Sequence, residues 1–157
     1  MEGELTVGQA APEFTLPATG GSRVTLSAYH GKKVILYFYS KDNTAGCTDE
    51  AREFRDAYTD FLAAGAVILG ISRDSISTHE KFSAKHELPF LLLSDTDGMV
   101  CRRYGVLQEK NMYGKKVMGV ERSTFVINEA GKLACIFRKV KVAGHIQAVM
   151  SALQAKT

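Results

Sequence analysis

The sequence predicts an α/β protein, because short apolar runs of the strand type alternate with segments of helical periodicity. Residues 33–39 are mostly β-branched and aromatic, which is typical of a strand covered on both faces. From near Cys47 to Gly65, apolar residues recur at intervals of three and four, as in an amphipathic helix. A second strand-like run, residues 66–72, follows directly. This order implies a right-handed crossover and a largely parallel core.

The length and composition of the chain fit one globular domain that spans residues 1–157. Of its 157 residues, 45% are hydrophobic and 24% are charged, and the formal net charge is +3. A chain of this length buries roughly 70% of the surface that its unfolded form exposes, so it needs no disulfide or structural metal.

Charge and cysteine usage exclude several classes of protein. The basic stretches are too short to predict nucleic-acid binding, and the apolar runs are too short to cross a bilayer. Three scattered cysteines argue against a small secreted scaffold. We therefore expect a cytoplasmic protein with neither a membrane nor a nucleic-acid partner.

Turn residues and periodicity place the other elements of the N-terminal half. Residues 13–16 and 23–26 predict a β-hairpin around Gly20-Gly21-Ser22. The strand at 33–39 should be central in the sheet. Beyond the strand at 66–72, we expect a helix over 77–86 that begins at Ser75 or Ser77, and a third strand over 90–93.

The C-terminal half completes the predicted architecture. We expect a short helix over 97–104, a loop that carries residues 111–116, a hairpin of strands 123–127 and 132–137, and a final helix over 143–153. The order fits an α/β, thioredoxin-like fold with an N-terminal β-hairpin extension and a central mixed sheet flanked by helices. A fold alone does not specify a function.

The most informative segment joins the central strand to the long helix. Open α/β sheets bind ligands at such carboxyl ends of strands. Cys47 lies where the helix begins, so unpaired backbone N–H groups and the helix dipole favour its thiolate form. Cysteines in such positions have pKa values of about 3.5 to 7.5, against about 8.5 for the free amino acid.

Two interpretations of Cys47 remain open from the residues alone. A lone cysteine is often a small buried hydrophobe. The neighbours of Cys47 are polar or small, however, and the apolar stripe of the helix begins only at Ala51, which favours a reactive position at the rim.

Other candidate sites are weaker. The chain has no Cys-x-x-Cys pair, phosphate-binding loop or zinc-ligand spacing. His79 and His86 lie on one predicted helix, and we expect both to be exposed and without partners. Cys101 and Cys135 are predicted to pack in the core.

Several blocks of sequence in a fixed order carry a family resemblance: residues 8–17, 34–39, 44–48, 69–72, 92–95 and 121–127. They resemble the peroxiredoxins, specifically the Q subgroup that includes bacterioferritin comigratory protein. The resemblance implies a thiol peroxidase without metal or organic cofactor. It identifies Cys47 as the peroxidatic cysteine, Thr44 as a peroxide-contacting hydroxyl and Arg122 as the arginine near the thiolate.

The chain departs from the family pattern on both sides of Thr44. Ser40 stands where the family has proline, and Ala45 where many subgroup members have proline. By position, Ser40 and Gly46 belong to the substrate-binding loop. Serine lacks the fixed φ of proline, so we expect a less rigid loop and a thiolate less protected from over-oxidation.

A second departure concerns the resolving cysteine. The two positions that the subgroup uses for it are Arg52 and Ser83 here. Ser83 is either natural or a replacement of cysteine, and replacement is favoured because the rest of the chain resembles the branch of the subgroup that has its resolving cysteine at this position. As written, the chain should act as a one-cysteine enzyme whose sulfenic acid is reduced by thioredoxin, glutaredoxin or glutathione.

The resemblance leaves other functions and the assembly state to be tested. A peroxide sensor would use the same sulfenic acid to oxidise a bound partner, and an interaction module would hold an inert Cys47. Repeated turnover and thiol titration distinguish these alternatives. Subgroup members are often monomers, and we expect a monomer.

Overall fold

The computed structural model describes residues 4–155, without the side chains of residues 110, 112 and 155. A mixed sheet of five strands forms its centre. Its strands are β3 (Lys33–Phe38), β4 (Ala66–Ser72), β5 (Leu91–Ser94), β8 (Ser123–Ile127) and β9 (Leu133–Phe137). They lie side by side in the order β5-β4-β3-β8-β9. The helices are α1 (Ala45–Asp56), α2 (Tyr58–Ala63), α3 (Ile76–His86), α4 (Met99–Arg103) and α5 (His145–Ala155).

Strand β3 lies at the middle of the sheet, as predicted. It pairs in parallel with β4 and antiparallel with β8, so that Leu36 lies between Leu69 and Phe125. All residues of β3 after Lys33 are buried, because apolar side chains cover both faces of the sheet.

Alternate residues of β3 supply two apolar clusters. Leu36 and Phe38 face a cluster that includes Tyr104. Ile35 and Tyr37 face the opposite cluster, where Phe54 of α1 stacks on Tyr37 at 4.6 Å between ring centroids. Both clusters therefore depend on the same central strand.

The predicted N-terminal hairpin is confirmed as β1 (Thr15–Pro17) and β2 (Arg23–Thr25). It is joined to the edge of the main sheet by a bridge between Ala18 and Leu93. The Thr19 hydroxyl next to this bridge accepts a hydrogen bond from the Leu92 N–H.

The prediction of a single long helix up to Gly65 is wrong. The chain leaves helical geometry at Ala57 (φ −97°, ψ 1°), which separates α1 from α2. Phe54 and Phe61 lie on either side of this break and enter the same cluster, with ring centroids 6.0 Å apart. The apolar period continues across the break, so periodicity alone could not reveal it.

The loop predicted at residues 111–116 is instead a hairpin of β6 (Leu107–Met112) and β7 (Lys115–Val120). Tyr113 (φ 54°) and Gly114 (φ 79°) form its turn, and two positive φ angles are what a type I′ turn requires. Most of β7 is exposed, so the strands lack the alternation of buried and exposed residues that predicts a strand. Within residues 4–155, no helix is long and apolar enough to span a membrane.

Tyr37 and Tyr39 allow a matched test of buried hydrogen bonding, since both are 1% exposed and their rings are stacked. The Tyr39 hydroxyl donates to Asp42 Oδ1 at 2.6 Å, whereas the Tyr37 hydroxyl has no hydrogen-bond partner among the described residues. We expect Tyr39→Phe to lower the unfolding free energy by about 1.5–3 kcal/mol, the usual contribution of a hydrogen bond to a charged group. Tyr37→Phe should cause no loss. Urea unfolding measures both, and equal losses would contradict this account.

Candidate active site

Cys47 lies in the first turn of α1, immediately after the loop that follows β3. Asn43 turns the chain with a φ of 69°, a conformation that asparagine tolerates better than most residues. Thr44 is then the extended residue at the start of α1, and its carbonyl accepts the first helical hydrogen bond, from the Thr48 N–H. Cys47 is therefore in the turn where backbone N–H groups lack helical partners.

Arg122 reaches Cys47 from the neighbouring strand. Ser123, the first residue of β8, lies opposite Phe38 at the end of β3, so Arg122 lies beside the loop that leaves β3. Its Nη2 donates to Cys47 Sγ at 3.3 Å. On the same sulfur, Ser40 Oγ lies at 3.5 Å. Strand register thus brings together residues 75 positions apart in the chain.

The surroundings of Cys47 favour its thiolate form. Burial by itself raises the pKa of the Cys47 thiol. The Ser40 and Thr44 side chains, the Lys41 backbone and the charge of Arg122 together outweigh burial and lower this pKa below its ordinary value. The candidate nucleophile is therefore a buried sulfur whose negative charge is stabilised by donors on one side.

Glu50 holds Arg122 in place, although Glu50 was not among the residues predicted from the sequence. Its Oε1 accepts from Arg122 Nη1 at 2.6 Å, and its side chain is fully buried. Burial raises the pKa of the Glu50 carboxyl to about 7, although Arg122 opposes this effect. Its position was the available signal: Cys47, Glu50, Ala51 and Phe54 form the buried stripe of α1, where an acidic residue requires a partner.

Thr44 and Gly46 border the open side of the site. Thr44 is exposed, and its hydroxyl donates to the Lys41 carbonyl at 3.0 Å. Gly46 is half-buried, and a Cβ at this position would lie 3.1 Å from Arg122 Nη2. The missing side chain of Gly46 therefore gives the guanidinium room to approach the sulfur.

Cys47 is more deeply buried than the polar sequence around it predicts. It is 1% exposed rather than at the rim, because it faces inward toward Ala51 and Phe54 while Thr44 and Ala45 face solvent. Both interpretations of this cysteine were partly right, since the residue packs in an apolar cluster and also contacts an arginine.

The prediction that His79 is exposed and without a partner is wrong. His79 is fully buried, and its Nδ1 lies 2.6 Å from Asp42 Oδ2. Helix α3 begins after Ser75, whose hydroxyl accepts from the Thr78 N–H, and this start turns His79 toward the sheet. His86 on the same helix is half-buried, and its ring contacts that of Phe82.

The other sequence-predicted positions lie apart from the sulfur contacts. Arg52 is exposed on α1, and Ser83 is half-buried on α3. Cys101 is fully buried, as expected, and its pKa is raised, first by burial and then by Asp95. Cys135 is half-buried against the cluster that contains Cys47, and all three cysteines are free.

Gly46→Ala should lower the reactivity of Cys47 without lowering the stability of the fold. The added Cβ meets Arg122 Nη2, which is already fixed by Glu50, so the guanidinium must move away from the sulfur. We expect slower alkylation of Cys47 at neutral pH. Alanine favours a helix by up to about 1 kcal/mol over glycine, so stability should stay constant or rise. The control Ala45→Gly changes an exposed neighbour; if it slows alkylation equally, the steric argument is wrong.

The lowered pKa of Cys47 also predicts a pH dependence of stability. An unfolded cysteine titrates near pH 8.5, so the folded thiolate contributes stability that is complete above about pH 8.5 and is lost as pH falls through the lower folded-state pKa. The advantage of the unmodified chain over Cys47→Ser should therefore shrink as pH falls. Urea unfolding in reducing buffer at several pH values measures this difference, and an advantage that grows toward acid would contradict the assignment.

Comparison with known proteins identifies the family. Residues 7–136 match the AhpC/TSA family model. Peroxiredoxin Bcp of Xanthomonas campestris is 49% identical over 151 residues, which cover 96% of this chain and 94% of that protein. Peroxiredoxin Bcp of Bacillus subtilis is 45% identical over 150 residues, covering 96% of each.

Solved structures give the same result. A structure of peroxiredoxin Q from X. campestris superposes with a TM-score of 0.87 at 48% identity, over 90% of each chain. A structure of the bacterioferritin comigratory protein from the same organism has a TM-score of 0.90 at 45% identity and covers 96% of this chain and 98% of that one. The chain belongs to the AhpC/TSA family and, within it, to the Bcp or peroxiredoxin Q group of thiol peroxidases.

Proposed function

We propose that this enzyme reduces hydrogen peroxide and small organic hydroperoxides with Cys47 as its peroxidatic cysteine. The observation that carries the proposal is the 3.3 Å contact between Cys47 Sγ and an arginine that Glu50 holds in place. Such a contact stabilises the thiolate before the reaction and leaves a cation beside the atoms that react.

The reaction that we propose transfers one oxygen atom to sulfur. The Cys47 thiolate attacks one peroxide oxygen, the S–O bond forms as the O–O bond breaks, and the second oxygen leaves as alkoxide or hydroxide and takes up a proton. Cys47 becomes a sulfenic acid, while the peroxide is reduced to an alcohol or water. Arg122 and the Thr44 hydroxyl, which can rotate away from the Lys41 carbonyl, are the proposed donors to the developing charge.

A groove beside Ser40 supports the proposal that hydroperoxides with a small organic group are substrates. The structural study of the X. campestris bacterioferritin comigratory protein concerns alkyl peroxide reduction by that protein. In this chain, Ser40 and Lys41 line a groove of about 280 Å³ that is also lined by Met118, Gly119 and Val120 of β7. We propose Ser40 and Gly46 as members of the substrate-binding loop.

We propose that an external thiol completes the cycle. Neither Arg52 nor Ser83 can form a disulfide, and the burial and raised pKa of Cys101 make it a poor internal reductant. A first external thiol would condense with the sulfenic acid and release water, and a second would release the restored Cys47 thiol as a disulfide forms between the two. Thioredoxin, glutaredoxin and glutathione are the proposed sources.

We propose one domain, because both apolar clusters share the central sheet. We also propose a monomer in the cytoplasm, a compartment whose reducing conditions suit three free cysteines.

Mass spectrometry of the intact chain after one equivalent of peroxide tests the assignment. We expect a gain of one oxygen atom in the unmodified chain, in Cys101→Ser and in Cys135→Ser, and no gain in Cys47→Ser. A gain that survives Cys47→Ser would contradict the proposal. Sustained peroxide consumption with a thioredoxin or glutathione system distinguishes an enzyme from a sensor, which would stop after one oxidation.

A further inference from the structure

A buried pair of titratable side chains, Asp42 and His79, takes no part in the chemistry described above. Both side chains are fully buried, and Asp42 Oδ2 lies 2.6 Å from His79 Nδ1. Asp42 lies five residues before Cys47 in the loop between β3 and α1, whereas His79 belongs to α3. The pair therefore joins the loop of the reactive cysteine to a helix on another part of the sheet.

Each polar side-chain atom of Asp42 and His79 has a hydrogen-bond partner. His79 Nε2 lies 3.0 Å from the Leu93 carbonyl, which can only accept, so this nitrogen carries a proton. Asp42 Oδ1 accepts from the Tyr39 hydroxyl at 2.6 Å. Together with Asp74, these side chains could offer ligand atoms to a metal ion, but their atoms already bond to each other or to neighbouring groups, which favours a structural linkage.

The main chain of Asp42 is fixed as well. Its N–H donates to Asp74 Oδ2 at 2.9 Å, and the same oxygen accepts from the Ser72 hydroxyl at 2.6 Å. Asp42 thus contacts residues at or beyond the ends of β3 and β4 and on α3. Three elements of the fold determine where this one loop residue lies.

The two residues before Asp42 help to stabilise the reactive sulfur beside Arg122. Ser40 Oγ lies 3.5 Å from Cys47 Sγ, and the backbone of Lys41 contributes to lowering the pKa of the Cys47 thiol. The peptide between Lys41 and Asp42 is held at both ends, since its carbonyl accepts from Thr44 and its N–H donates to Asp74. A shift of Asp42 would therefore move the donors away from the thiolate.

We propose that His79 is a positioning residue for the peroxidase and acts through Asp42 to hold the loop that presents Ser40 and Lys41 to Cys47. This proposal rests on the proposed function. His79 contacts neither substrate nor sulfur, so its effect is on the donors that stabilise the thiolate. It adds an anchor on α3 to a loop in which serine replaces the proline of the family.

Two variants test the hydrogen-bonded link between Asp42 and His79 without leaving a buried charge unpaired. In Asp42→Asn, the new amide oxygen can accept from Tyr39 and the amide N–H can donate to His79 Nδ1, so the link persists. In the double variant Asp42→Asn with His79→Leu, the link is absent. Because neither variant keeps a buried carboxylate at position 42, we expect both to fold. His86→Leu, on the same helix, is the matched control.

The measurement is the alkylation rate of Cys47 across a range of pH, quantified by mass spectrometry on the tryptic peptide of residues 42–52. We expect Asp42→Asn and His86→Leu to follow the unmodified chain. The double variant should react about tenfold more slowly below the thiol pKa, which corresponds to a rise of about one pKa unit. Thermal unfolding of each variant records stability separately.

Two results would overturn the proposal. If the double variant loses thermal stability but Cys47 titrates as in Asp42→Asn, the pair is only structural. If Asp42→Asn slows alkylation as much as the double variant, the retained link does not position the donors. Neither result bears on the proposed function, because alkylation uses no peroxide; that function fails if oxygen transfer survives Cys47→Ser or if peroxide consumption stops after one oxidation.

Discussion

A guanidinium held between a sulfur and a carboxylate is the interaction on which this site depends. A negatively charged sulfur is costly to bury in an apolar cluster unless a positive group and hydrogen-bond donors accompany it. Arg122 supplies the charge to Cys47, and Glu50 fixes its orientation from the next turn of α1. Removing one partner from a buried ion pair usually costs about 3–5 kcal/mol, so the three groups are expected to act as a unit.

The sheet places this unit through strand register. The end of β3 and the start of β8 lie side by side at one end of the strands, where Phe38 is opposite Ser123. The loop after β3 and Arg122 before β8 therefore converge, although Cys47 and Arg122 are 75 residues apart in the chain. Helix α1 then adds Cys47 and Glu50 one turn apart, so α1, the start of β8 and the loop after β3 supply the hydrogen-bonding contacts of the sulfur.

Features that arise from local pattern could be predicted from the sequence. The bounds of β4 and β8 agree with the predictions, since β4 is a nearly continuous apolar run and β8 ends at the turn that begins with Asn128. The break at Ala57 and the hairpin of β6 and β7 could not be predicted. The first preserves the apolar period of the helix, and the second is stabilised by a turn and its own pairing rather than by burial. The partners of Glu50 and His79 also escaped prediction, because they lie 72 and 37 residues away.

By itself, the sequence determined the α/β architecture, a helix that begins close to Cys47 and the candidate residues Thr44 and Arg122, because each follows from short-range pattern or from motif resemblance. Only the tertiary structure decided that Cys47 is buried yet contacts a cation, that Glu50 holds this cation and that His79 supports the loop through Asp42. Burial and partnership are properties of residues distant in the chain, and they exist only after the strands have aligned and α1 and α3 have packed against the sheet.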